Sequence, residues 1–156
     1  MKKDMLFRKL IQIDLEAANQ TEVFEQIAGI LYSHGFVKDT YLEALKVREG
    51  KYPTALPVKP YPVAIPHTDT EHIIRPFIAA VRLKHAVEWR EMANNDTIHQ
   101  VQFIFMLGFL KSDEHVELLQ ILVENFQNEE LMERLKKAET ADEYFAVICS
   151  MRGMEA

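Results

Sequence analysis

Apolar residues in the first part of the chain recur at helical spacing. Val23, Ile27, Ile30 and Leu31 fall on one stripe. Asn19 stands where a cap belongs, with Glu22 three residues on, and Gly35 supplies a stop. A second helix is expected from Asp39 or Thr40, with Glu43 as the capping partner of Thr40. Its inner face would be Leu42, Ala44 and Leu45, and Gly50 would end it. Arg48 and Glu49 then occupy its last turn.

Residues 50–62 break the pattern. Pro53, Pro57, Pro60 and Pro62 oppose both helix and central strand, so a shaped loop is expected there. The middle of the chain then reads as strands. Val63-Ala64-Ile65 is short and apolar, 77–83 is a longer run, and 86–89 is a weaker one. Asn94-Asn95-Asp96 marks a turn. The run 101–107 is almost wholly apolar and rich in β-formers, as in a strand buried on both faces. A further strand is expected somewhere in 5–15.

The last third returns to helical spacing. Ser112 can cap a helix carrying Val116, Leu119, Leu122, Val123 and Phe126, a stripe that reads as core. Asn128 can cap another with Leu131, Met132 and Leu135. Thr140 and Glu143 form a capping box ahead of Tyr144, Phe145 and Ile148. The order of elements predicts an α/β layered single domain spanning 1–156, a mixed sheet of about five strands flanked by helices. The middle connections are too short for helical crossovers throughout.

Composition narrows the function classes. At 156 residues, 48% hydrophobic and 27% charged, the chain has the balance of a globular protein. Its net charge of −6 argues against nucleic acid as a partner. The single cysteine, Cys149, fits a reducing compartment. No apolar run approaches the roughly 20 residues of a membrane span, so a cytoplasmic protein without direct membrane insertion is expected.

Of the histidines, His67 has the most distinctive surroundings. It follows Val63-Ala64-Ile65-Pro66, at the exit of a buried strand, and Thr68 with Glu71 could cap a short helical turn just beyond. A strand end fixes a ring, and free amides at a helix start favour an anion. One rival is a metal-dependent hydrolase using His67, Asp69 and His72, although residues two and five apart share no helix face.

The segment Tyr61-Pro62-Val63-Ala64-Ile65-Pro66-His67-Thr68 resembles the phosphorylation-site motif of enzyme IIA proteins of the mannitol–fructose class in the bacterial sugar phosphotransferase system. Two other stretches are similar to the family at family-like distances. Residues 41–49 with Pro53-Thr54 match its helix and loop before the active histidine, and 112–119 match the helix start bearing its second histidine. The likeness runs from about 19 to 148. Gly35-Phe36-Val37, Asp39-Thr40, Arg48-Glu49 and Tyr52-Pro53-Thr54 place it nearest the galactitol-type subgroup. Thr68 stands where most of the family has glycine or cysteine.

The resemblance implies a phosphohistidine relay without a cofactor. His67 would accept a phosphoryl group from the carrier protein HPr, the family implying Nε2, and pass it to a cysteine on the cognate IIB protein for coupled sugar uptake. Arg48 would stabilise the phosphoryl oxygens through its planar fork. His115 would donate to the group or orient the His67 ring. Ser112, Thr54 and Thr68 are candidate phosphate ligands. Pro57, Val58, Tyr61 and Pro62 are candidates for the rim on which partners dock. An alternative within the fold is a regulator whose phosphorylation state controls a partner.

Overall fold

The computed structural model describes residues 2–111 and 113–154. Short 3-10 turns at Lys2–Met5 and Arg8–Leu10 lead into strand β1 (Gln12–Leu15). Helix α1 (Gln20–Ser33) begins as its sequence dictates, with Asn19 Oδ1 accepting from the Glu22 amide at 3.0 Å. Helix α2 (Tyr41–Lys51) does not. Thr40 is already helical, and its hydroxyl bonds His72 Nδ1 at 2.8 Å instead of capping. The face α2 buries is Tyr41, Leu45 and Glu49, with Leu42 and Ala44 half-buried beside it. Glycine at position 50 does not end the helix, which continues through Lys51.

The proline-rich loop contains a strand. β2 (Ala55–Leu56) pairs antiparallel with β3 (Val63–Ala64), and Ala55 also meets Glu91. Two residues between flanking prolines are enough for a ladder rung but too few for a periodic signal. β4 (Phe77–Glu91) and β5 (Asn94–Gly108) form one long antiparallel hairpin, with Phe77 opposite Gly108 and Val81 opposite Ile104. The two apolar runs 77–83 and 86–89 are one strand interrupted by a bulge. Between Arg82 and Val87 the register slips, and the exposed Lys84, His85 and Ala86 lie there. The turn falls at Met92–Ala93, where Ala93 has φ 63°, and 94–96 already belong to β5. β1 joins β4 in parallel and β3 joins β5 in parallel, which completes a mixed five-stranded sheet.

Alternation along the hairpin separates two cores. Phe77, Ala79, Ile104 and Met106 face α1 and α2 and pack with Phe24, Ile27, Tyr41 and Leu45. Ile78, Ala80, Phe103, Phe105 and Leu107 face the other way. That second face is covered by α3 (Glu114–Phe126), α4 (Glu129–Lys137) and α5 (Ala141–Cys149). Asn128 and Thr140 cap α4 and α5 through their side chains as expected. The predicted cap Ser112 lies outside the described residues, and Asp113 occupies the cap position of α3 without a side-chain bond. The face α3 buries is Leu118, Leu122, Asn125 and Phe126. Val116 is exposed, and Leu119 and Val123 are half-buried, so the expected stripe is turned partly outward. Arg82, buried in β4, ties α4 to the sheet by donating to the carbonyls of Leu135, Lys136 and Ala138.

Candidate active site

His67 sits where β3 runs out. The Leu107 amide donates to Pro66 O at 3.0 Å, and His67 bridges Leu107 in parallel, so the chain beyond β3 is still held against β5. The ring is then fixed from its own backbone, His67 Nδ1 to Ile65 O at 2.8 Å. A carbonyl oxygen can only accept, so Nδ1 carries the proton and Nε2 keeps its lone pair.

Two further rings complete the wall. The His67 and His115 rings are 6.3 Å apart at 26°, and buried Phe109 lies 6.3 Å from His67 and 5.7 Å from His115. His115 comes from the first turn of α3, one residue after Glu114. Arg48, from the last turn of α2, lines the same cleft of about 320 Å³ with Thr54, His67, His115, Leu119 and Asn95. Burial pushes the His67 imidazole below its ordinary 6.5. The positive charges of Arg48 and His115 add to this, against the Ile65 carbonyl bond and Asp69. The ring is therefore neutral at neutral pH, the form that attacks phosphorus.

Three sequence-predicted residues, His67, Arg48 and His115, meet in this cleft, and Thr54 joins its wall. The hydroxyl of Thr54 is not free to point at an anion. It donates to Glu49 Oε1 at 2.8 Å, and the Thr54 amide donates to Glu49 Oε2 at 2.7 Å. Thr68 is buried outside the cleft wall and donates to Asp69 O at 2.9 Å. No capping bond joins it to Glu71; the 3-10 turn begins at Thr70 and is only Thr70–His72. Ser112, the third candidate ligand, is not among the described residues. Arg48 pairs with Asp69, its Nη1 at 3.1 Å from Oδ1, and not with Glu43 or Glu49. The rival metal cluster does not assemble. Asp69 is turned to Arg48 and His72 to Thr40, and no trio of His, Cys, Asp or Glu among the described residues is placed to hold a metal ion.

Sequence reasoning missed two contributions. Glu49 is 5% exposed and accepts from Thr54 and from Trp89 Nε1 at 3.0 Å. Its place at i+8 from Tyr41 and i+4 from Leu45 was the available signal for burial. The hairpin tip is the other. Met92, Ala93 and Asn95 line the cleft, because Met92 N bonds Ala55 O at 2.8 Å and folds the tip back over β2. No local pattern encodes that return.

The model of the family described as "Phosphoenolpyruvate-dependent sugar phosphotransferase system, EIIA 2" matches residues 4–151. The galactitol-specific EIIA component of the phosphotransferase system of Escherichia coli K12 is 25% identical over 125 residues, covering 80% of this chain and 83% of the relative. Among solved structures, the mannitol enzyme IIA in complex with phosphorylated mannitol enzyme IIB from Escherichia coli superposes with a TM-score of 0.75. It is 20% identical over 92% of this chain and 96% of the other. The nitrogen regulatory protein IIA-Ntr from Neisseria meningitidis gives a TM-score of 0.73 at 24% identity over 94% and 97%. No helix among the described residues is long and apolar enough to cross a membrane.

Proposed function

The chain belongs to the EIIA 2 family of the phosphoenolpyruvate-dependent sugar phosphotransferase system, and on that premise we propose that His67 Nε2 is its phosphoryl acceptor, loaded by phospho-HPr and unloaded to a cysteine of a IIB partner. The observation that carries this assignment is the 2.8 Å bond from His67 Nδ1 to Ile65 O. It leaves Nε2 as the nucleophile, in a cleft shared with Arg48.

The residues divide the work by their chemistry. Nε2 attacks phosphorus in line as the donor nitrogen leaves, and the imidazole makes a bond labile enough to be passed on. Arg48 presents a planar fork to the equatorial oxygens, where charge must be stabilised. His115 lies beside His67, ring to ring at 6.3 Å, in the first turn of α3, within reach of the arriving group as a hydrogen-bond donor. Leu119 and Tyr52 on the cleft wall, with the exposed Val116 next to His115 in sequence and the half-buried Val58 and Tyr61, supply apolar surface for docking. The whole chain acts as one IIA unit in the cytoplasm, and a galactitol-like polyol is the sugar whose uptake it supports, from the likeness to the galactitol-specific component.

The test is label transfer. Radiolabelled phospho-HPr should phosphorylate the wild-type chain and not His67→Ala of unchanged circular dichroism. Normal labelling of that variant ends the assignment. The loaded chain is then offered galactitol-, mannitol- and fructose-type IIB proteins. Preferential transfer to the galactitol type supports the sugar. A loaded chain that passes its group to none of them is a regulator instead.

A further inference from the structure

The guanidinium of Arg48 is engaged before any phosphoryl group arrives. Its Nη1 donates to Asp69 Oδ1 at 3.1 Å, and Asp69 lies two residues beyond His67 on the same loop. The far end of that loop is clamped to the start of α2 by the bond between His72 Nδ1 and Thr40 Oγ1. The Lys38 amide adds a bond to His72 O at 2.9 Å. The loop bearing Asp69 and the helix bearing Arg48 are thereby held together. The carboxylate is 73% exposed, so its attachment to Arg48 is readily exchanged for water or for another anion. Arg48 also has an unused donor. Its Nε is buried and has no partner among the described residues.

A phosphoryl group on Nε2 would be a second anion in the cleft that Arg48 lines. A phosphoryl face taken up through the fork competes with Asp69 for the Nη1 donor that the carboxylate now holds. The two anions also repel each other, which adds to the competition.

We propose that Asp69 is a positioning residue that holds Arg48 while His67 is empty and competes with the phosphoryl group for it while His67 is loaded, so that the exchange sets how tightly the group is kept. This rests on the assignment of His67 and Arg48 above. On loading, the N–P bond of the HPr phosphohistidine breaks and the Nε2 lone pair forms the new N–P bond. The donor ring regains its lone pair, and the His67 Nδ1–H stays on Ile65 O. Arg48 passes from Asp69 to the phosphoryl oxygens, and no proton leaves or joins Asp69. On unloading, a IIB thiolate forms the S–P bond, Nε2 regains its lone pair, and Asp69 recaptures Arg48. A carrier gains from such an arrangement, since a group held too well is not passed on.

The experiment is an equilibrium partition. The full chain is mixed with a fixed amount of phospho-HPr, and the label is followed until its distribution stops changing. Asp69→Asn should shift the partition toward the phosphorylated chain by roughly two- to fivefold, the range expected of an exposed ion pair. In an Arg48→Gln background the same substitution should shift it less. An equal shift in both backgrounds overturns the proposal, because Asp69 would then act by repulsion alone. No shift in wild type overturns it too, while continued labelling at His67 leaves the assignment of the acceptor standing. If Arg48→Gln takes no label, the NMR signal of the Arg48 Nε–H decides. It should move when wild type is phosphorylated and be already displaced in unphosphorylated Asp69→Asn; identical signals in the two unphosphorylated proteins overturn the proposal. Failure of wild type to accept label brings down the assignment and the proposal together.

Discussion

The Nδ1 atom of His67 and the carbonyl oxygen of Ile65 are 2.8 Å apart, a contact between residues two apart on one stretch of chain. Pro66 lies between them, and its own carbonyl accepts from Leu107 on β5. A strand end, a proline and one cross-strand bond thus fix both the position of the imidazole and the nitrogen that is free to react.

Phosphorylation is therefore expected at Nε2. Nitrogen-15 NMR of the loaded protein should show phosphorus coupling there, with Nδ1 still protonated. The depressed affinity of this ring for protons sets a pH profile as well. The reactive neutral form is full at neutral pH, and the loading rate should decline only on acidification below the ordinary histidine value of 6.5. A rate that already falls between pH 8 and 7 on the chain's side of the reaction would contradict a ring desolvated by burial.

Arg48→Lys should keep the charge and lose the fork. Loading from phospho-HPr is expected to slow on the order of a hundredfold, the loss typical of one preorganised donor to a developing anion. The thermal midpoint should hardly move, since the Arg48 side chain is one-third exposed and its ion pair with Asp69 is more exposed still. Quench-flow labelling measures the first quantity and calorimetry the second. An unchanged rate would leave Arg48 as a surface residue.

The parts of this site that were legible in the sequence are those built from short segments. Val63-Ala64-Ile65-Pro66-His67 carries its own geometry, and Asn19, Asn128 and Thr140 cap their helices through bonds three residues long. Thr40 fails as a cap for a tertiary reason. His72, far along the chain, offers its hydroxyl a stronger claim. Thr54 and Thr68 could be placed near the cleft from their neighbours, but the carboxyl and carbonyl that occupy their hydroxyls could not be foreseen. The hairpin tip over the cleft follows from a bulge and a bond to Ala55, neither of which has a local pattern. Val116 and Leu119 share the helical period of the α3 core, and periodicity alone does not say which apolar residues a neighbouring site leaves uncovered.

Gly108 should not tolerate a side chain. A Cβ there would meet the Phe77 ring at 2.2, 2.6 and 2.7 Å, and that ring is fully buried, edge-on to Phe36 and Tyr41. Gly108→Ala must displace a packed aromatic and is expected to cost about 1–3 kcal/mol in urea unfolding. Because Phe109 and Leu107 flank the substitution and touch the His67 loop, the loading rate should fall with it. An unchanged midpoint would show that the ring can yield without loss.

Glu49→Gln should change how stability depends on pH. Burial pushes the Glu49 carboxyl from 4.5 up to about 7, against the bonds from Thr54 and Trp89 and the charge of Arg48, all of which favour ionisation. Between those pH values the native state binds a proton that the unfolded chain has released. This contribution is thus whole below pH 4.5 and is lost as pH rises through about 7. At 1.36 kcal/mol per unit, its size is on the order of 3 kcal/mol. His67 acts with the opposite sign. Its lowered affinity makes the unfolded chain bind more protons below 6.5, so acidification there reduces stability. The two slopes partly cancel in wild type, and only the comparison with Glu49→Gln separates them. Glutamine keeps an acceptor for Thr54 and Trp89 but cannot ionise. The variant should therefore gain on wild type between pH 5 and pH 8, by up to the same few kcal/mol, in urea unfolding at each pH. Parallel stability curves would mean that the three donors hold Glu49 ionised despite its burial, and the carboxyl would then serve as a fixed negative charge one residue from Arg48.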